Sequence, residues 1–148
     1  MGICIMLQTA AQEPAPAAIN KDYQPILDNF FSFLAKGNLS DATDALVAAN
    51  PLSTSKTTDG LFNSLELAHK SAGDFVNFSP YLTKTLGDSI VYIYGFANYT
   101  NMPVRFEFIF YRVKEKWTVQ NFALYINPID EIRSNAGITI AVPKKDAN

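Results

Sequence analysis

Glu107 is the one acid inside a strong strand pattern, and Arg105 stands two residues before it, on the same face of that strand. A carboxylate in an apolar pocket, with a raised pKa and a tyrosine hydroxyl in reach, is what a general base for proton abstraction requires. The same pair could instead bind a carboxylate ligand, or form an ion pair on a solvent or dimer face, an ordinary arrangement in sheets. His69 is the sole histidine and follows Leu65 by four residues near a helical apolar stripe. It is a second candidate base, or else a rim histidine with one hydrogen bond. Tyr92 and Tyr94 share a strand face, with Tyr99 on the other, and could offer hydroxyls to a ligand; aromatic packing with the hydroxyl at the surface is the alternative. Asn121 makes a poor base, because an amide has no useful proton affinity, but it could bind. The candidate catalytic residues are therefore Glu107 and His69, and the candidate ligand-binding residues are Tyr92, Tyr94, Arg105 and Asn121.

Composition removes several other chemistries. One cysteine, Cys4, and one histidine leave no internal disulfide framework, cysteine metal cluster or multi-histidine site. Neither a metal nor a cofactor is expected. Glycines mark helix ends and turns rather than a phosphate-binding loop. A net charge of −2 with scattered basic residues gives nucleic acid no electrostatic footprint. No apolar run approaches the roughly 20 residues of a transmembrane span. The 148 residues, 48% hydrophobic and 18% charged, suffice for one folded domain with a real core.

The elements that must position these residues fall in a simple order. Tyr23, Ile26, Leu27, Phe30, Phe33 and Leu34 recur at three- and four-residue spacing and form the stripe of a first helix, with Asp22 as its cap, Pro25 in its first turn and Gly37 as its stop. Ser40 caps a second helix that ends at Asn50-Pro51; residues 52–58 read as loop; Asp59 caps a third helix that Gly73 closes. Four strand patterns follow over 74–86, 89–100, 104–113 and 117–126, joined by short turns, so an antiparallel meander with helices on one face is expected. Pro80 points to an edge position or bulge, and Gly95 to a bend. In the third strand Phe106, Phe108 and Phe110 face one way, and Arg105, Glu107, Ile109 and Tyr111 the other. Parity alone leaves open which face meets the helices. The face with Ile109, Tyr111 and Trp117 or its neighbours is too apolar to stay wet, so a second chain or a ligand should cover it. Residues 129–142 read as a helical turn followed by an extra strand at 138–142.

Residues 1–18 (MGICIMLQTAAQEPAPAA) combine a short apolar stretch, small residues of the type signal peptidase prefers and a Pro/Ala linker, but lack a basic start. They read as a secretory leader or as an uninformative N-terminus. Ile3 before Cys4 argues against lipidation. Asn38, Asn77 and Asn98 begin glycosylation-type triplets. The expected division is leader and linker at 1–18, the folded domain at 19–128 and a C-terminal extension at 129–148.

The step Phe33-Leu-Ala-Lys-Gly-Asn38 between the first two helices, and the run Lys114-Glu-Lys-Trp-Thr-Val-Gln-Asn-Phe122 at the last hairpin, resemble NTF2-like (cystatin-like) domains. The resemblance spans residues 20–127 and looks closest to small secreted bacterial domains of unknown function. Asn38 departs from the acid usual there. The resemblance implies an α+β fold in which N-terminal helices pack on a curved four-stranded antiparallel sheet, an NTF2-like cone with a pocket at its open end. Three functions are expected: a non-catalytic secreted or periplasmic NTF2-like domain, dimeric through its sheet and able to hold a small apolar ligand; a protein-interaction module of accessory or immunity type, whose exposed sheet meets another protein; or, as the resemblance implies, an isomerase- or dehydratase-like enzyme with Glu107 or His69 as base. If the leader is not a signal, the expected location is cytoplasmic.

Overall fold

The computed structural model of the chain describes residues 22–137. The leader at 1–18 and the extra strand expected at 138–142 lie outside them. The elements are α1 (Gln24–Ala35), α2 (Leu39–Ala48), α3 (Ser55–Ala72), β1 (Phe75–Leu86), β2 (Ile90–Tyr99), β3 (Pro103–Val113), β4 (Lys116–Ile126) and α4 (Ile129–Asn135). The strands form one antiparallel sheet in the order β1-β2-β3-β4. This is the α+β meander that the sequence pattern predicts.

The helix starts differ from expectation. α1 begins at Gln24 with Tyr23 at the cap position and no side-chain cap bond, so Asp22 is not its cap. α2 is capped by Asn38, whose side chain accepts from the Asp41 amide at 3.2 Å, rather than by Ser40. The expected loop at 52–58 is overturned in its second half, because α3 already starts at Ser55. Thr54 has extended backbone, and its hydroxyl accepts from the Thr57 amide at 3.3 Å. A threonine cap of this kind satisfies an orphan donor, and the β-branched Thr57 and Thr58 lie in the first two turns. Gly73 ends α3 at φ 87, and a Cβ there would overlap the Thr100 hydroxyl, so both conformation and space require glycine.

One face of the sheet, hereafter the inner face, packs on α1–α3. Phe30 is fully buried and meets Phe106, Phe108 and Phe122 edge-on, with ring centroids 5.7–6.0 Å apart. Tyr23 stacks on Phe110 at 5.1 Å and meets Trp117 edge-on at 5.5 Å. The Phe106–Phe108–Phe110 parity is thus the one that faces the helices. Trp117 is buried on this same face, contrary to the expectation that it lies opposite. The reason is a β-bulge: Ile109 pairs with Asn121 and Phe110 with Val119, leaving Gln120 as the extra residue. Trp117 and Val119 on one side of the bulge therefore point the same way as Phe122 and Leu124 on the other.

The two sheet edges are finished differently. β4 is tied to the helical layer by a backbone bond from the Val119 amide to the Ala49 carbonyl, 2.8 Å. Among the described residues β1 is the free edge, and there Pro80 pairs with Gly95 beside an irregularity at Tyr81. A Cβ on Gly95 would overlap the Ser79 carbonyl and approach Pro80 Cα to 2.8 Å, so the close approach of β1 to β2 requires that glycine.

Candidate functional site

Alternation puts Tyr92, Tyr94, Arg105 and Glu107 on the outer face, opposite the helical layer. Register brings them together: Tyr94 pairs with Glu107, Phe96 with Arg105, and Arg105 in turn with Tyr125 of β4. α4 then crosses this group. Arg105 Nη1 donates to Glu131 Oε1 at 2.7 Å, and the Tyr94 hydroxyl donates to the same oxygen at 2.7 Å. Asn135 Nδ2 donates to the Tyr94 oxygen at 3.0 Å. The guanidinium lies 3.5 Å from the Tyr125 ring centroid and 5.6 Å from that of Tyr94, and its Nη2 is 3.6 Å from Glu107 Oε2. Cation–π contact and charge pairing thus fix one cation between two rings and two carboxylates. The Arg105 side chain is only 15% exposed, and its buried Nε has no hydrogen-bond partner among the described residues.

The electrostatics follow from this crowding. Burial, and then donation to Glu131, push the Tyr94 pKa up to about 12, because ionisation would place a phenolate beside a carboxylate. Burial alone would lower the pKa of Arg105, but the bond to Glu131 and the neighbouring negative groups outweigh it, and the net shift is upward. Tyr92 is also raised, by burial first and then by Glu107.

The remaining candidates sit elsewhere. His69 is near the C-terminal end of α3, 44% exposed, with Nδ1 3.6 Å from an Asp74 carboxylate oxygen. Asn121 is exposed on β4, where the bulge turns it to pair with Ile109, and it touches a cleft of about 410 Å³ between α2, α3 and β4. Asn98 Nδ2 donates to Asn77 Oδ1 at 2.7 Å across the β1–β2 pair.

A second cleft of about 580 Å³ opens between the first turns of α1 and strand β1. Its walls are mainly apolar (Tyr23, Leu27, Phe31, Phe75, Phe78, Ile93), with Gln24, Asp28 and Asn77 among the polar lining residues. Phe31 stacks on Phe78 at 4.5 Å and on Phe75 at 5.5 Å, which stiffens one wall. Neither cleft is lined by Glu107 or His69. The Tyr94 hydroxyl donates to Glu131 rather than to Glu107. Among the described residues no three His, Cys, Asp or Glu side chains are grouped to hold a metal, and no helix is long and apolar enough to cross a membrane.

Sequence reasoning paired Arg105 with Glu107 but missed Glu131, Asn135 and Tyr125. Glu131 is 26 residues from Arg105 and 37 from Tyr94, and no local pattern links such positions. Tyr125 was legible in principle, since it has the parity of Ala123 and the β3–β4 hairpin sets it opposite Arg105. No protein-family model, curated protein or solved structure matches this chain.

Proposed function

We propose that the chain is a non-catalytic binding domain of NTF2-like type, which holds a small apolar or amphipathic molecule in the α1–β1 cleft and pairs with a second copy through its sheet. The cleft carries the reading. Its volume of about 580 Å³ falls within the range of small-molecule sites, roughly 300–1,000 Å³, and apolar walls with a few polar groups are their usual lining. An apolar body would lie against Phe31, Phe75 and Phe78, and a polar end would meet Gln24, Asp28 or Asn77. Export rests on the leader at residues 1–18.

Pairing rests on the half of the outer face beyond α4. Leu82, Leu86, Tyr111 and Val113 are exposed there, around the half-buried Ile90, Tyr92 and Ile109. A different protein seated on that patch is the second reading, of accessory or immunity type, and the same observation favours it.

The test is a titration of the full chain with N-phenyl-1-naphthylamine, whose fluorescence rises in apolar sites. Saturable binding is expected, and Thr83→Phe, which fills the cleft from an exposed position on β1, should abolish it with little change in melting temperature. Binding that survives Thr83→Phe would remove the cleft from the proposal. Sedimentation separates the two uses of the sheet. A dimer that Leu86→Glu and Tyr111→Glu dissociate supports self-pairing, while a monomer in both wild type and variants favours the foreign partner.

A further inference from the structure

α4 is a seven-residue helix with no buried residue, no side-chain cap, and Ile129 and Ile132 exposed. A helix of that length has little stability of its own. Its start is anchored by the buried Pro128, and along the helix itself the hydrogen bonds of Glu131 and Asn135 join it to the sheet.

The group it covers has the parts of a carboxylate receptor. Arg105 is oriented by Tyr125 and Glu107, and the Tyr94 hydroxyl points at the same carboxylate oxygen as Nη1. Glu131 fills this receptor incompletely. It uses one oxygen for both donors and leaves Arg105 Nε unpaired, whereas a carboxylate free to turn can fork across Nε and a terminal nitrogen. Beside the cation, Tyr81, Tyr94 and Phe96 meet edge-on with centroids 5.6–6.4 Å apart, and Tyr81 is exposed.

We propose that the Arg105–Tyr94–Tyr125 cluster is a binding site for a carboxylate carried on an aromatic or apolar body, and that Glu131 is a built-in competitor which the ligand displaces, lifting α4 from the sheet. The aromatic wall of Tyr81, Tyr94 and Phe96 takes the body, and Arg105 takes the charge. Glu107 sets the limit: with one carboxylate already beside the guanidinium, the site favours a single incoming negative charge over two. This site is independent of the α1–β1 cleft, since the two open on opposite faces of the sheet.

Competition makes the apparent affinity of the wild type the intrinsic affinity multiplied by the fraction of molecules with α4 lifted. The full chain is titrated with 3-phenylpropionate and with 3-phenylpropionamide by calorimetry, and backbone amide exchange is followed over Ile129–Asn135. The carboxylate should bind at least about tenfold more tightly than the amide and speed exchange in α4, and Glu131→Gln should tighten carboxylate binding by about tenfold, because it removes the competing charge. Arg105→Gln should abolish binding. If that variant misfolds, Glu131→Gln alone decides, since it leaves the receptor intact. Equal binding of acid and amide, unchanged α4 exchange on saturation, an unchanged affinity in Glu131→Gln, or no saturable binding to either protein overturns the proposal. Thr83→Phe should leave all of these readouts unaltered, so failure at the cleft and failure here are distinguishable.

Discussion

α1 and α4 lie on opposite faces of the same sheet and are held there by different physics. α1 presents Leu27, Phe30 and Leu34 to the inner face and buries all three. α4 buries none of its own residues; beyond the buried Pro128 at its cap it is held by the polar contacts of Glu131 and Asn135. Burial of aromatic surface is non-directional and contributes several kcal/mol per large side chain, whereas a hydrogen bond nets about 1 kcal/mol and depends on geometry. α1 is therefore part of the core, whereas α4 beyond the buried Pro128 rests on polar contacts, and local opening there should cost less than global unfolding.

The largest effect should come from Phe30→Ala. Phe30 is fully buried against Phe106, Phe108 and Phe122, so its loss is expected to cost about 3–5 kcal/mol and to lower the urea midpoint for the whole domain. A change below about 1 kcal/mol would mean that the aromatic centre is not the core. The opposite helix should give the opposite signature. Glu131→Ala is expected to cost about 1 kcal/mol or less globally, yet to leave the α4 amides almost unprotected in hydrogen exchange while β2 and β3 stay protected. Exchange that slows or rises equally in α4 and β3 would erase the contrast between the helices.

A smaller effect is set by pH. The pKa of Tyr94 is raised to about 12 against an ordinary value of 10.0, so the folded state holds this proton more tightly than the unfolded chain does. Its contribution is complete below pH 10 and is lost as the pH climbs toward 12. Thermal unfolding should show a stability plateau below pH 10 and a decline above it, and Tyr94→Phe should make that decline shallower. Buried Tyr99 and Tyr23 are raised too, by desolvation, and will keep part of the slope. An identical slope in Tyr94→Phe would mean that neither burial nor Glu131 holds Tyr94 above its ordinary pKa in the folded state.

The same contrast explains what the sequence made legible. The α1 stripe and the Phe106–Phe108–Phe110 alternation are periodic, and periodicity reports burial directly. Pro80 marked the free edge because it has no N–H to give a ladder. The misses all arose where a single polar or irregular feature took over. Thr54 starts α3 ahead of Asp59 through one cap bond, and the bulge at Gln120 moves Trp117 across the sheet with no glycine to announce it. In the outer cluster, Arg105 and Glu107 could be paired from strand spacing, but Glu131 reaches them only through the tertiary path of α4. Asn121 is suggested by its position on the last strand, as the NTF2-like resemblance implies, and His69 by its place beside a helical stripe, but the fold sets both apart from that cluster.

Strand β1 leaves one further consequence. A bare sheet margin ordinarily templates stacking of like chains into fibres. Here the rung at Pro80 cannot donate, and the kink at Tyr81 throws the backbone out of phase halfway along. Lys84 adds a charge a few residues on. The margin is thereby spoiled as a template at its midpoint, so endless side-by-side growth along β1 should stay disfavoured even at high concentration.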